Sequence, residues 1–229
     1  MQTSPHTLKA FDDDLDRLRA LVCELGGRVE AAIADAVQAL VRIDPGRAEA
    51  VLANHSRVAA LVSRIEREAV QMIALRAPLA DDLREVLSAF KIVSLIARMG
   101  DCAANVARRA LLFGGSRPIA EIRTIATLGE GVTAMIKAAL DSYSVRDPVA
   151  AARVVDMDDQ IDALHAGLFR ALVDLMTRNP DTITAATHLL IVSQKLERAA
   201  DHAAAIAAIV HYAATGDAPP SPPDARVAA

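Results

Sequence analysis

Four carboxylates in two pairs offer the most chemistry in this chain. Glu197 and Asp201 stand four residues apart within Lys195-Leu196-Glu197-Arg198-Ala199-Ala200-Asp201-His202, and Asp158 and Asp162 share that spacing. On an α-helix, residues four apart project from one face, one turn above the other. The run from Thr182 to Tyr212 around the later pair has no Gly or Pro. At ~100° per residue, its Leu189, Val192, Leu196, Ala200, Ala203, Ala207 and Val210 form an apolar stripe. The acids flank that stripe, while Lys195, Arg198 and His202 lie on another side, so the acids lack a basic partner on their own helix. If the helices bearing the two pairs pack antiparallel, four carboxylates meet at one seam and repel unless a cation or an arginine joins them. Oxygen-rich sets of this kind suit Mg²⁺, Mn²⁺, Ca²⁺ or iron, and His165, one turn beyond Asp162, adds a nitrogen donor at the edge. The plainer alternative is a solvated acidic face of little energetic consequence.

The elements that would position these groups are helices. Leu15, Leu18, Val22, Leu25, Val29, Ile33, Val37 and Leu40 recur three or four apart, which predicts a first helix over 8–41 that bends at Gly26-Gly27. Asp44-Pro45 is a cap followed by a proline in the first turn, and starts a second helix that runs to Arg76. Pro78 breaks it, Asp81 or Asp82 opens a third, and Gly114-Gly115 closes that one after Phe113. The plan then repeats: a helix over 119–143, Asp147-Pro148, a fifth helix to Thr177, Asn179-Pro180 and a sixth. The offset between the copies is 103 from Asp44 to Asp147, from Val58 to Ile161 and from Leu61 to Leu164. It is 102 from Pro78 to Pro180, and 100 from Arg98 to Arg198 and from Asp101 to Asp201. An almost constant offset implies an all-α fold of two tandem three-helix bundles, 8–115 and 116–214, followed by an unstructured Pro- and Ala-rich tail, 215–229.

The two copies differ in chemistry. In the first, the positions matching the four acids read His55, Ala59, Ala97 and Asp101, with Asn105 one turn on. A metal site is therefore expected in the second copy, on Glu197, Asp201, Asp158 and Asp162. Asp101 would be the remnant in the first, with His55 and Asn105 as weaker ligands. Arg98 and Arg198 occupy equivalent places, each set either to pair with a carboxylate of its own bundle or to meet an anionic partner. No glycine-rich phosphate loop, nucleophile elbow or paired-cysteine motif is present, so no catalytic residue is assigned and the chain is expected to bind no phosphate itself. Aromatic residues make up 3% of the 229, Trp is absent, and the net charge is -4. That composition suits closely packed aliphatic helices and argues against a nucleic-acid partner. Cys23 and Cys102 do not form a disulfide framework. No signal peptide or membrane-length apolar run is visible, which predicts a soluble cytoplasmic protein.

Several stretches resemble the PhoU family, in particular its actinobacterial members. They are Ile73-Ala74-Leu75-Arg76-Ala77-Pro78-Leu79-Ala80-Asp81-Asp82-Leu83-Arg84, Arg98-Met99-Gly100-Asp101 with Asn105, and Leu196-Glu197-Arg198-Ala199-Ala200-Asp201-His202. The resemblance extends over about 8–216. It implies a non-enzymatic cytoplasmic regulator of inorganic phosphate uptake that restrains a Pst-type ABC transporter and a sensor histidine kinase of the Pho system. It also implies a homodimer that reaches the membrane only through those partners. The family's Glu/Asp-x-x-x-Asp motif holds iron, zinc or another divalent or trivalent cation such as magnesium or manganese. Glu197 and Asp201 match it fully, whereas Ala97 leaves Asp101 alone in the first copy, so function without a fixed metal stays open. A carboxylate-bridged, ferritin-like metal-binding protein is the alternative, and it would want Glu-x-x-His pairs that this chain lacks.

Overall fold

The structure, a computed structural model, describes residues 5–114 and 119–217, with side chains from Phe11 onward. Six helices follow one another: α1 (Pro5–Arg42), α2 (Pro45–Arg76), α3 (Ala80–Phe113), α4 (Ile122–Val145), α5 (Pro148–Arg178) and α6 (Ile183–Thr215). A 3₁₀ turn, Pro180–Thr182, precedes the last. Helices α1, α2 and α3 pack mutually, as do α4, α5 and α6. The two bundles then join through α1 on α4 and α3 on α6. The outer helices α2 and α5 touch only members of their own bundle. One continuous apolar core results, running from Leu18, Leu25 and Ile33 through Ile92, Ile96 and Met99 to Leu128, Met135, Leu189 and Ile206. The expected all-α pair of three-helix bundles is what forms.

The turns between the first two helices of each bundle are the same turn used twice. Ile43 and Arg146 adopt φ of 53° and 55°, left-handed values that close the preceding helix. The amide of Asp44 donates to Ala39 O at 2.8 Å, and that of Asp147 to Ser142 O at 3.0 Å, again 103 residues on. The Asp44 carboxylate then accepts from the Arg47 amide at 3.0 Å, and Asp147 from the amides of Val149 and Ala150 at 2.8 and 3.0 Å. Each aspartate thus satisfies N–H groups that the first helical turn leaves without partners. The start of α3 differs from expectation. The helix opens at Ala80 from an uncapped Leu79, and Asp81 and Asp82 sit inside the first turn, where their charge complements the helix dipole. The sixth helix runs on through Thr215 to a left-handed Gly216. The expected 115/116 boundary, Gly115 and the tail beyond Asp217 lie outside the described residues.

Gly26-Gly27 does not interrupt α1. Gly26 is a socket: a Cβ there would overlap the methyls of Leu140 on α4. Gly129 on α4 is its counterpart, where a Cβ would lie 2.8 and 2.9 Å from the Cγ atoms of Val37 on α1. Two reciprocal glycines therefore let a leucine and a valine cross the bundle boundary. Gly27 faces open space, with nothing within 4 Å of a Cβ. Gly129→Ala should lower stability by about 1–2 kcal/mol, because the β-branched Val37 cannot swing away. Gly27→Ala should raise it by about 0.5–1 kcal/mol through helix propensity alone. Urea melts of the two variants measure both; equal effects would refute the socket.

Candidate functional site

Helices α5 and α6 share a long seam in which Ile161, Leu168, Leu189, Leu196 and Ala200 are buried. Asp158 and Glu197 border that core and are partly buried, while Asp162 and Asp201 stand further out and are exposed. Burial raises the Asp158 carboxyl from its ordinary 3.8 to about 6, with Asp162, Asp201, Asp159 and Glu197 adding repulsion. Burial likewise raises Glu197, and Asp201 and Asp162 push it further, while His165 and Arg198 pull it down. The two acid pairs named from spacing therefore face one another across α5 and α6. Asp159, which the four-residue spacing did not mark, adds a fifth charge.

The donor chemistry of this seam suits a cation. Oδ1 of Asp158 and Nδ1 of His165 are buried without a hydrogen-bond partner, and both sit in the acidic group. Unpaired buried polar atoms are costly, and a metal is one thing that removes the cost. Among the described residues, however, no three His, Cys, Asp or Glu side chains converge closely enough to enclose an ion. The seam brings like charges near one another without gathering them to a point.

The matching place in the first bundle is different. His55 Nε2 lies 3.3 Å from Asp101 Oδ1 across α2 and α3, the histidine half-buried and the aspartate exposed. The Asn105 side-chain amide donates to the backbone oxygen of Asp101 at 2.8 Å, which turns it back onto its own helix. Arg98 and Arg198 are both exposed and both depress His202, although burial is the larger cause there. Neither makes an ion pair with a described residue, so the in-bundle carboxylate partner is not what these arginines find.

A second polar group had no signal in the sequence. Glu85 on α3 bonds Arg19 of α1 and Arg146 at the end of α4, and so ties the first bundle to the second. Its partners are 66 and 61 residues away, beyond the reach of any spacing rule. Both free cysteines are raised by burial, Cys102 being buried and Cys23 partly so.

Comparison with known proteins follows the same division of the chain. A family model described as PhoU domain matches residues 22–110 and again 125–210. The phosphate-specific transport system accessory protein PhoU homolog of Zymomonas mobilis is 40% identical over 211 residues, 92% of this chain and 89% of that protein. The protein of the same description from Caulobacter vibrioides is 40% identical over 213 residues, 93% of each chain. The crystal structure of PhoU from Pseudomonas aeruginosa superposes with a TM-score of 0.87 at 32% identity, covering 90% of this chain and all of that one. The phosphate transport system regulatory protein PhoU of Streptococcus pneumoniae gives 0.85 at 28% identity, covering 91% and 98%.

The acidic seam has a measurable pH signature. The Asp158 carboxyl binds its proton more tightly folded than unfolded, so stability is highest below pH 3.8 for this group and is lost as pH rises to about 6. Asp158→Asn should therefore stabilise the protein at pH 7.5, by no more than about 1 kcal/mol because the half-exposed group is screened. The gain should vanish at pH 4. Thermal melts at the two pH values give the comparison, and a gain equal at both would place the repulsion elsewhere.

Proposed function

The chain belongs to the PhoU family, and on that premise we propose that it is a non-enzymatic cytoplasmic regulator of inorganic phosphate uptake and of phosphate-responsive gene expression. Its partners on this reading are the ATPase of a Pst-type ABC transporter and a sensor histidine kinase, which it restrains when phosphate is plentiful. The observation that carries the reading is that both bundles match the family domain, over residues 22–110 and 125–210, within relatives named as accessory proteins of phosphate-specific transport. The form of the molecule supports a relay. Long helices expose wide faces at fixed spacing, and no helix among the described residues is long and apolar enough to cross a membrane. Contact with the membrane would then come through the transporter.

Glu197, Asp201, Asp158 and Asp162 are the residues that would hold a cation on this reading, with His165 at the edge and Asp101 with His55 as a weaker counterpart. A bound di- or trivalent ion supplies positive charge that offsets the repulsion among these acids. The acids themselves repel one another across α5 and α6, and Asp158 carries a proton only as pH falls to about 6 and below. Arg98 and Arg198, exposed and without carboxylate partners among the described residues, are suited to meeting acidic groups on a partner.

The decisive experiment is co-purification of the tagged chain from cells grown in high and in low phosphate. Transporter ATPase or kinase should be retained, and its amount should change with phosphate. Failure to retain either in both conditions would defeat the regulatory reading. Glu197→Ala combined with Asp201→Ala should partly release a phosphate-repressed reporter at high phosphate. The same double variant should abolish any rise in melting temperature produced by Mn²⁺ or Zn²⁺ in the purified protein. A reporter that stays fully repressed, with the thermal response unchanged, would remove these acids from the mechanism.

A further inference from the structure

Helix α3 packs on α1, α2 and α6, and α6 packs on α3, α4 and α5. The outer sides of α3 and α6 are left as an open strip, with Lys91, Ser94, Arg98, Gln194 and Arg198 exposed on it. The two helices run antiparallel. Phe113 near the end of α3 meets His188 near the start of α6 edge-on, with ring centroids 6.4 Å apart. At the other end, a Cβ on Gly216 would come within 3.0 Å of Nη1 of Arg84. Position 100 of α3 therefore stands level with about position 200 of α6, and each helix advances about 1.5 Å per residue.

Basic side chains line this strip without acids to pair with. Between Lys91 and Arg109, α3 carries four basic residues and one acid, in a chain whose net charge is -4. Lys91, Arg98, Arg109, Lys195 and Arg198 make no ion pair with a described residue, whereas Arg17, Arg28, Arg64, Arg76 and Arg178 on other helices all do. The unpaired cations gather where α3 meets α6. Lys195 and Arg198 lie close to Cys102, Arg98 to His202 and Arg109 to His188. Lys91 stands two turns before Arg98 on the same side of α3. The acids of the two helices are turned outward: Asp101 lies 3.3 Å from His55 on α2, and Glu197 and Asp201 face Asp158 on α5.

The spacing of the cations is that of a helix face. Measured along α3, Arg198 stands level with about position 102 and Lys195 with about position 105. The five charges thus fall at about 91, 98, 102, 105 and 109, in steps of about seven, four, three and four residues, over about 27 Å. Steps of three, four and seven are the ones that keep side chains on one stripe of an α-helix. An extended segment, which turns successive side chains to opposite sides, has no such period. Exposed apolar groups lie beyond both ends of the row, Leu87 and Phe90 before Lys91 and Leu112 after Arg109.

We propose that this strip is the docking surface for an acidic amphipathic helix of a protein partner, carrying carboxylates at i, i+7, i+11, i+14 and i+18 and apolar residues at both ends. Laid along α3 and α6, such a helix meets every unpaired cation with one face. The acids on either side keep the strip narrow. Asp101 toward α2, and Glu197 with Asp201 toward α5, repel a broad polyanion such as a nucleic-acid strand and leave the centre to a single row of carboxylates. Unpaired surface cations also draw an acidic segment in from a distance and set its direction. The existence of such a partner rests on the regulatory reading above; the strip adds the chemistry by which it is recognised.

Fluorescence anisotropy with the full chain and a labelled, stapled helical peptide tests it. The peptide bears Glu at the five stripe positions and Leu at its ends; a second peptide has the same composition with the glutamates spread around the helix. The striped peptide should bind at least about tenfold more tightly than the scattered one or than single-stranded DNA of equal length, and should weaken as salt rises. Arg98→Glu combined with Arg198→Glu should stay folded by circular dichroism, lower the affinity at least about tenfold, and retain less ATPase or kinase on co-purification. Lys91→Glu, at the end of the row, should lower the affinity about three- to tenfold. Absent peptide binding, equal affinity for the two peptides, DNA binding as tight, or a folded double variant that binds like the parent would overturn the proposal. If the parent still retains ATPase or kinase in that case, the docking surface falls and the regulatory reading stands; if it retains neither, both fall.

Discussion

The fold depends on how closely α1 can approach α4. Each three-helix bundle has one seam too many for its own three helices to cover, and burying that apolar surface requires the other bundle. Reciprocal glycines make the approach: Leu140 fills the space over Gly26, and Val37 that over Gly129. On the opposite side, α3 and α6 pack on one another, and both helices carry many small buried residues, among them Ala103, Ala107, Ala199, Ala203 and Ala207. Small side chains gain little hydrophobic energy one by one. They bring two backbones close enough for the leucines, isoleucines and methionines beside them to interdigitate at the density of a protein interior. Without that contact, the inner stripes of α1, α3, α4 and α6 would face water.

Once four helices are committed to a dry centre, charge is left with the rims, and the rims differ. Between α5 and α6 the flanking positions are acidic, so Asp158 is pushed up by burial and by its neighbours. At the end of the central layer, Glu85 lies between arginines from both bundles. A carboxylate clamped by two guanidiniums holds α4 to α1 and α3 by a directional contact, which complements the non-directional glycine sockets. The acidic seam keeps two helices of one bundle under mutual repulsion, whereas the arginine–glutamate junction ties two bundles together. Electrostatic changes at these two places therefore act on different helix contacts.

What could be read from the chain was whatever local chemistry encodes. Asp44-Pro45 and Asp147-Pro148 announce their helix starts because an aspartate acceptor and a proline without N–H each suit the first turn. The offset of 103 survives in the capping bonds themselves, Ala39 to Asp44 and Ser142 to Asp147. The facing of Asp158 and Asp162 toward Glu197 and Asp201 also followed from period and antiparallel order. The socket at Gly26 is not legible in the sequence, because a glycine that admits a neighbour's side chain and one that loosens its own helix look alike without the neighbour. Asp81 and Asp82 were placed as openers, yet Ala80 begins the helix, since the chain reverses at Pro78 and Leu79 by backbone geometry and not by a side-chain cap. The Arg19–Glu85–Arg146 junction joins three helices whose contact is a tertiary fact, and no spacing could have found it.

Duplication also explains why the chemistry is unequal. Two copies of one unit need the same caps, the same stripes and mutually compatible sockets to close the core, so those positions are tied to each other. The rim positions are under no such constraint, and there the copies separate. His55 and Asp101 form one partly exposed pair where the second copy has four acids and a histidine. A neutral or basic partner at 55 removes the repulsion that a second acid would create, so the first bundle has less for a cation to relieve. The second bundle carries a standing electrostatic cost that a proton, a cation or a basic partner surface can lift. A site of that kind is sensitive to its surroundings because its resting state is not its most favourable one, and α6, which carries half of it, is also the helix that packs on α3.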